Sequence, residues 1–158
     1  VIAAELLDSA GRTVHREWVH HPGAAAVLPI LNDGRILLVE QTRPATGGRT
    51  LEIPAGRLEA SEEPQACAIR ELQEETGYAA RTWRSLGSFY STPGASDERI
   101  HLFSATDLVQ VSSADGIEIA GLFPCSADWI LDAFRSGRIV DGKTLLAASL
   151  YRLSSGRP

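Results

Sequence analysis

An α/β sandwich around a mixed β-sheet is predicted, on three observations. Ala24–Leu31 is an uninterrupted apolar run, the pattern of a strand covered on both faces. Alternating segments flank it on both sides. One long segment, from Ser61 to Gly77, has helical spacing, and two shorter helical segments close the chain. A mostly β body with a central helix and C-terminal helices fits layers of helix on sheet.

The elements follow in order. Residues 1–7 alternate as a strand, Asp8–Gly11 form a turn, and residues 12–19 read as the antiparallel partner. After Ala24–Leu31, Asn32-Asp33-Gly34 predicts a hairpin turn, because glycine accepts the positive φ such turns need. Arg35–Gln41 is then the return strand. Thr42–Thr50 reads as a loop, and Leu51–Ile53 as a short strand running into Pro54-Ala55-Gly56. Ser61 is the predicted cap of the central helix, Pro64 suits its first turn and Gly77 ends it. Further strands are expected at 80–90, 99–106 and 117–123. Ser126 caps a helix to about Arg135, and Asp141 caps another to about Leu153.

The 158 residues are expected to form one domain, with 44% hydrophobic and 22% charged residues, ordinary for a globular protein. A net charge of −5 argues against a broad nucleic-acid surface, which needs a basic face. It leaves room for a small phosphorylated substrate, because a bound divalent cation inverts the local charge. No apolar run is long enough to span a bilayer and no signal-peptide pattern opens the chain, so no membrane partner and a cytoplasmic location are expected. Cys67 and Cys125 are far apart without metal-ligand spacing and read as reduced and structural. Lys143 is the only lysine, a bias attributed to genome composition.

The central helix breaks the rules of helix design. At about 100° per residue, Ala66, Ile69, Leu72 and Thr76 share a face that would pack on the sheet. Glu71, Glu74 and Glu75 crowd another, with Arg70 on its border. Each like-charge pair costs roughly 0.2–0.5 kcal/mol. Negative charge in the last turns opposes the helix dipole by a further 0.3–1 kcal/mol or so each. A solvated acidic face is one reading. A bound cation is the other, since Mg²⁺ takes oxygen ligands and bridges carboxylates to phosphates.

The wider pattern decides between them. Gly56 is followed after five residues by Glu62, after seven more by Arg70-Glu71-Leu72, then by Gln73-Glu74-Glu75-Thr76-Gly77-Tyr78. This resembles the Nudix box at every fixed position. A chance match is on the order of one in a billion per starting position. Tyr78 is a mild departure, where an aliphatic residue is commoner.

The resemblance implies an α/β/α sandwich in which the box forms loop–helix–loop. It also implies cleavage of nucleoside diphosphates linked to another moiety. Glu71 and Glu75 would be direct metal ligands, Glu74 a ligand or close by, and the Ala55 carbonyl would complete the set. Gly56, Glu62, Arg70 and Gly77 would be structural, with Glu62 and Arg70 pairing to hold the loop on the helix. Glu59 could reach a metal or act as a cap. Two or three Mg²⁺ ions are expected, with Mn²⁺ as the alternative; they would neutralise pyrophosphate oxygens and activate a water.

Segments outside the box narrow the branch. Pro93, in Tyr90-Ser91-Thr92-Pro93-Gly94, lies sixteen residues after Gly77. That spacing resembles the ADP-ribose pyrophosphatase branch. Gly94-Ala95-Ser96-Asp97-Glu98-Arg99-Ile100-His101-Leu102-Phe103 is similar to the loop and strand that follow there. So are Arg16-Glu17-Trp18, Gln41-Thr42-Arg43 and Leu51-Glu52-Ile53-Pro54-Ala55-Gly56. On that branch Arg16, Arg43, Glu52 and Pro93 would bind substrate, an arginine fork suiting phosphate oxygens. Trp18 would either stack on adenine or pack as a half-buried tryptophan.

The resemblance implies a catalytic base in an acidic loop, here Ser112-Ser113-Ala114-Asp115-Gly116-Ile117-Glu118. A glutamate is usual at the position taken by Asp115. Asp115 and Glu118 are the main candidates, Glu98 a third, and Glu74 and Glu75 join the catalytic group. His101 is read as packing and His20-His21 as a strand end. The reaction implied is Mg²⁺-dependent hydrolysis of ADP-ribose to AMP and ribose 5-phosphate by a homodimer, in which residues 1–20 are swapped. The alternatives are another Nudix substrate (a dinucleoside polyphosphate, nucleotide sugar or oxidised nucleotide) or a binding regulator without turnover.

Overall fold

The computed structural model describes residues 1–114 and 119–155. The strands are β1 (Ile2–Leu7), β2 (Thr13–Trp18), β3 (Ala24–Pro29), β4 (Ile36–Arg43), β5 (Gly48–Glu52), β6 (Ala55–Arg57), β7 (Tyr78–Tyr90), β8 (Arg99–Gln110) and β9 (Ile119–Cys125). The helices are α1 (Pro64–Thr76), α2 (Ala127–Arg135) and α3 (Gly142–Ser155), and a 3₁₀ turn spans Pro44–Thr46. Among these residues the strands form three sheets: β1-β2, β6-β3-β8-β7 and β5-β4-β9. The β3–β8 pair is parallel and its neighbours β6 and β7 are antiparallel, so the middle sheet is mixed.

Strand β3 explains the layering. All six of its residues are buried. Ala25 and Val27 meet Cys67, Ala68 and Leu72 of α1. Ala24, Ala26 and Leu28 face the other way, into a cluster with Ile36 and Leu38 of β4, Ile130 of α2 and Ala147 and Ala148 of α3. Side chains alternate across a strand, so an apolar run buries both faces, one under each helix layer. Small alanines let the helices approach closely.

Several sequence expectations are corrected. Asn32–Gly34 does make a turn, with the Gly34 N–H donating to the Leu31 carbonyl at 2.8 Å. Pairing stops at the Ile30–Ile36 bridge, however, and β3 and β4 then enter different sheets. Both strands carry residues that need cover on two sides, so they diverge. The expected loop at Thr42–Thr50 is mostly ladder: Thr42 pairs with Arg49 and Gln41 with Thr50. Gly47, at φ 80°, closes that hairpin.

The helix α1 starts differently from expectation. Glu63, not Ser61, is the N-cap residue, without a side-chain cap bond, and Ser61 sits at φ 63°. Pro64 sets the first helical φ and needs no N–H partner. The buried face also differs. Ala66 and Ile69 are exposed, while Cys67, Ala68, Glu71, Leu72, Glu75 and Thr76 are buried. Leu72 and Thr76 are thus buried as the wheel has them, and Glu71 and Glu75 take the inward places of Ala66 and Ile69. At the other termini, Ser126 accepts from the Trp129 N–H at 3.1 Å and Asp141 from the Thr144 N–H at 3.0 Å, as caps should. Among the described residues no helix is long and apolar enough to cross a membrane.

Candidate active site

The inward glutamates stand against the β6 strand. The Glu75 Oε2 accepts the Ala55 N–H at 3.1 Å, and the Gln41 Nε2 lies 3.5 Å from Glu75 Oε1. Glu71 packs onto Gly56 so tightly that a Cβ there would meet its Oε1 at 1.8 Å. Burial pushes the Glu75 carboxyl up to about 7, against the Ala55 hydrogen bond, and the nearby Glu71 charge adds to the rise. Burial likewise raises Glu71, opposed by Arg70.

Arg70 is the local counter-charge. Its Nε and Nη2 form a two-pronged pair with Glu62, both bonds at 3.0 Å. Nη1 donates to Glu71 at 2.5 Å and to Glu74 at 3.3 Å, and Nη2 also reaches the Arg57 carbonyl at 3.2 Å. The fork therefore ties helix, loop and strand together, which a planar guanidinium does well. Arg70 holds the Glu62 carboxyl down at about 2, helped by the Glu59 N–H. Glu74 points outward, with its side chain 56% exposed.

Among the described residues no three Asp, Glu, His or Cys side chains converge as a ready-made metal cage. Glu71 and Glu74 turn to Arg70 instead. The donor set nonetheless fits a hard divalent cation: it is all oxygen and anionic, and two carboxylates are buried with too little positive charge beside them.

A cleft of about 430 Å³ opens beside this helix, lined in part by Ala55, Gly56, Arg57, Arg43, Glu98 and Lys143. Arg43 grips Glu52 with two hydrogen bonds of 2.9 and 3.0 Å. Lys143 bonds the same carboxylate, at the Oε2 that Arg43 Nη2 also reaches, and bonds Asp141 at 2.9 Å. Glu52 itself is buried and does not line this cleft, but it lines a smaller hollow with Arg43, Asp141 and Lys143. Burial alone would raise its carboxyl, but Arg43, Lys143 and Thr50 outweigh that and hold it at about 2.

Lys143 and Asp141 are cleft residues that sequence reasoning misses. The available signal is a lone lysine inside a capped helix start. Glu98 lines the cleft and accepts the Ser91 hydroxyl at 2.5 Å. A second hollow of about 500 Å³ is lined by Arg16, Trp18, Tyr90, Pro93 and Asp97 among others, and draws on the same 91–98 loop. Arg16 and Pro93 are therefore grouped together, and Arg43 is apart from them. Asp115 and Glu118 lie outside the described residues. His101 is half-buried in β8, and burial lowers its pKa.

The sequence model of the NUDIX domain matches residues 19–144. The chain belongs to the Nudix family. It is a Nudix pyrophosphohydrolase, and enzymes of this family generally use divalent metal ions and bind nucleotide substrates. This Nudix chain is 42% identical over 146 residues to a methanol dehydrogenase activator of Bacillus methanolicus, covering 90% of this chain and 79% of that one. It is 38% identical, with the same coverage, to an ADP-ribose pyrophosphatase of Bacillus subtilis (strain 168). A GDP-mannose pyrophosphatase of Salmonella arizonae is 32% identical over 168 residues, covering 97% of this chain and 86% of that one. The crystal structure of an ADP compounds hydrolase superposes with a TM-score of 0.84 at 21% identity, covering 99% of this chain and 87% of the other, and so shares the fold.

Proposed function

We propose that this Nudix enzyme hydrolyses the pyrophosphate bond of ADP-ribose, giving AMP and ribose 5-phosphate, with Mg²⁺ as its metal. The observation that carries the reading is that one cleft joins the buried carboxylates of α1 to two cations. Ala55 and Gly56 line it and touch Glu75 and Glu71, while Arg43 and Lys143 line it as well and act on the Glu75 charge.

Glu71 and Glu75, with the exposed Glu74 and the Ala55 carbonyl, would hold two or three Mg²⁺ ions, Mn²⁺ being the alternative metal. A metal bound there would supply charge to neutralise phosphate oxygens and to acidify a water. Gly56 keeps the backbone clear of Glu71. Arg70 and Glu62 fix the loop on the helix. Arg43 and Lys143 present charged donors to the pyrophosphate, held in place by Glu52. Arg16, Trp18 and Pro93 take the nucleoside end in the second hollow. Asp115, Glu118 and Glu98 are the candidates for the base that accepts the water proton.

Incubation with ADP-ribose, GDP-mannose and a dinucleoside polyphosphate tests this, with Mg²⁺ or with a chelator. AMP release that is Mg²⁺-dependent and fastest from ADP-ribose is expected. Faster turnover of GDP-mannose would reject the substrate.

A homodimer is part of the same proposal. Among the described residues the β1-β2 sheet stands alone, with Leu6 52% and Leu7 73% exposed. A lone two-stranded hairpin is marginal in water, so a second copy is the expected cover, with residues 1–20 exchanged. A monomeric sedimentation profile at working concentration would reject it.

A further inference from the structure

One carboxylate ties the end of β2 to the 91–98 loop. Asp97 Oδ1 accepts the His21 backbone N–H at 2.7 Å. Its Oδ2 lies 2.8 Å from His20 Nδ1 and 3.4 Å from Trp18 Nε1. An ionised carboxylate only accepts, so His20 must carry its hydrogen on Nδ1. Both oxygens of Asp97 are thus engaged by donors from the end of β2 and the segment that follows it. The backbone repeats the connection: the Val19 N–H donates to the Ala95 carbonyl at 2.9 Å, and Ser96 Oγ donates to the Val19 carbonyl at 3.0 Å.

The partners on the two sides matter. Residues 18–21 lead directly from β2, which carries Arg16 and Trp18, into β3. The 91–98 loop gives Ser91 and Glu98 to the cleft and Pro93, Ser96 and Asp97 to the second hollow. Among the described residues the β1-β2 hairpin joins no other sheet, so its placement over the loop depends on this junction.

We infer that Asp97 is a positioning residue which latches the segment 18–21 to the 91–98 loop and so sets the affinity for the nucleoside end of the substrate. The inference rests on the proposed reading that the second hollow takes that end. Asp97 acts through Trp18 and the loop, because its own oxygens are occupied. Its removal lets the hairpin drift from the loop and opens the hollow, while Ser91 and Glu98 keep their own hydrogen bond at the cleft.

The test compares Asp97→Ala and Asp97→Asn in the full chain. Asp97→Ala is expected to raise KM for ADP-ribose at least about tenfold, the scale of one charge-assisted hydrogen bond. Its kcat should stay within about twofold, as expected when binding alone is lost. Asp97→Asn keeps an acceptor for the His21 N–H and should recover a large part of the loss. Amide exchange gives a second readout, independent of turnover: His21 and Val19 should exchange faster in Asp97→Ala, and Val27 in the core should not. AMP affinity, measured by titration, should fall in parallel with the KM effect. Wild type that binds AMP but leaves ADP-ribose intact would reject the substrate and leave exchange and AMP affinity to judge the latch. Unchanged exchange at His21, unchanged AMP affinity, or a fall in kcat at constant KM would overturn the inference.

Discussion

Glu71 lies against the α-carbon of Gly56, close enough that any Cβ there would meet its Oε1 at 1.8 Å. Gly56→Ala must therefore push either the β6 backbone or the Glu71 carboxylate aside. A misplacement of about 1 Å costs on the order of 10²-fold in rate. Gly56→Ala is expected to lower kcat by about that factor, while circular dichroism stays native. Wild-type kcat in this variant would show that Glu71 does not depend on the contact.

Gly77 is constrained twice. It holds φ 75° at the end of α1, and a Cβ there would stand 2.4 Å from the Ser112 carbonyl oxygen. The Val111 and Ser112 N–H groups both donate to the Gly77 carbonyl, at 2.9 and 3.1 Å. The left-handed conformation alone costs an L-residue about 1–2 kcal/mol. Gly77→Ala should lose at least ~2 kcal/mol in urea unfolding, with Gly77→Asn less affected by φ but still opposed by Ser112.

Glu52 should make stability depend on acid. Its carboxyl is held at about 2, below the ordinary 4.5, by Arg43, Lys143 and Thr50 against the cost of burial. A lowered carboxyl pKa stabilises the fold above 4.5, and the contribution fades as pH falls from 4.5 towards 2. The gap corresponds to about 3 kcal/mol. Urea unfolding of Glu52→Gln should show a deficit of that order at about pH 7, shrinking steadily below about pH 4.5. An equal deficit at about pH 3 and about pH 7 would contradict the assignment.

The sequence was most readable where local chemistry decides the outcome. The Glu62–Arg70 pair and the Ser126 and Asp141 caps each depend on residues a few positions apart. The apolar Ala24–Leu31 run revealed a strand covered on both faces for the same reason. What stayed hidden depends on contacts far along the chain. A helical wheel could not show that Glu71 and Glu75, and not Ala66 and Ile69, turn inward, because β6 selects the buried face. The divergence of β3 and β4 after Ile30 follows from two sheets competing for cover. Lys143 joins the cleft only because α3 folds back onto Glu52, 91 residues earlier.

In the proposed mechanism the inward carboxylates of α1 run a metal-dependent cleavage of ADP-ribose. The most direct measurement compares wild type with Glu75→Gln on ADP-ribose, with Mg²⁺ or chelator, resolving AMP and ribose 5-phosphate and following the Mg²⁺-induced rise in Tm. Mg²⁺-dependent AMP release is expected of wild type, with loss of both AMP release and the Tm rise in Glu75→Gln. Hydrolysis and a Mg²⁺ response that survive in Glu75→Gln would contradict the metal role of these carboxylates.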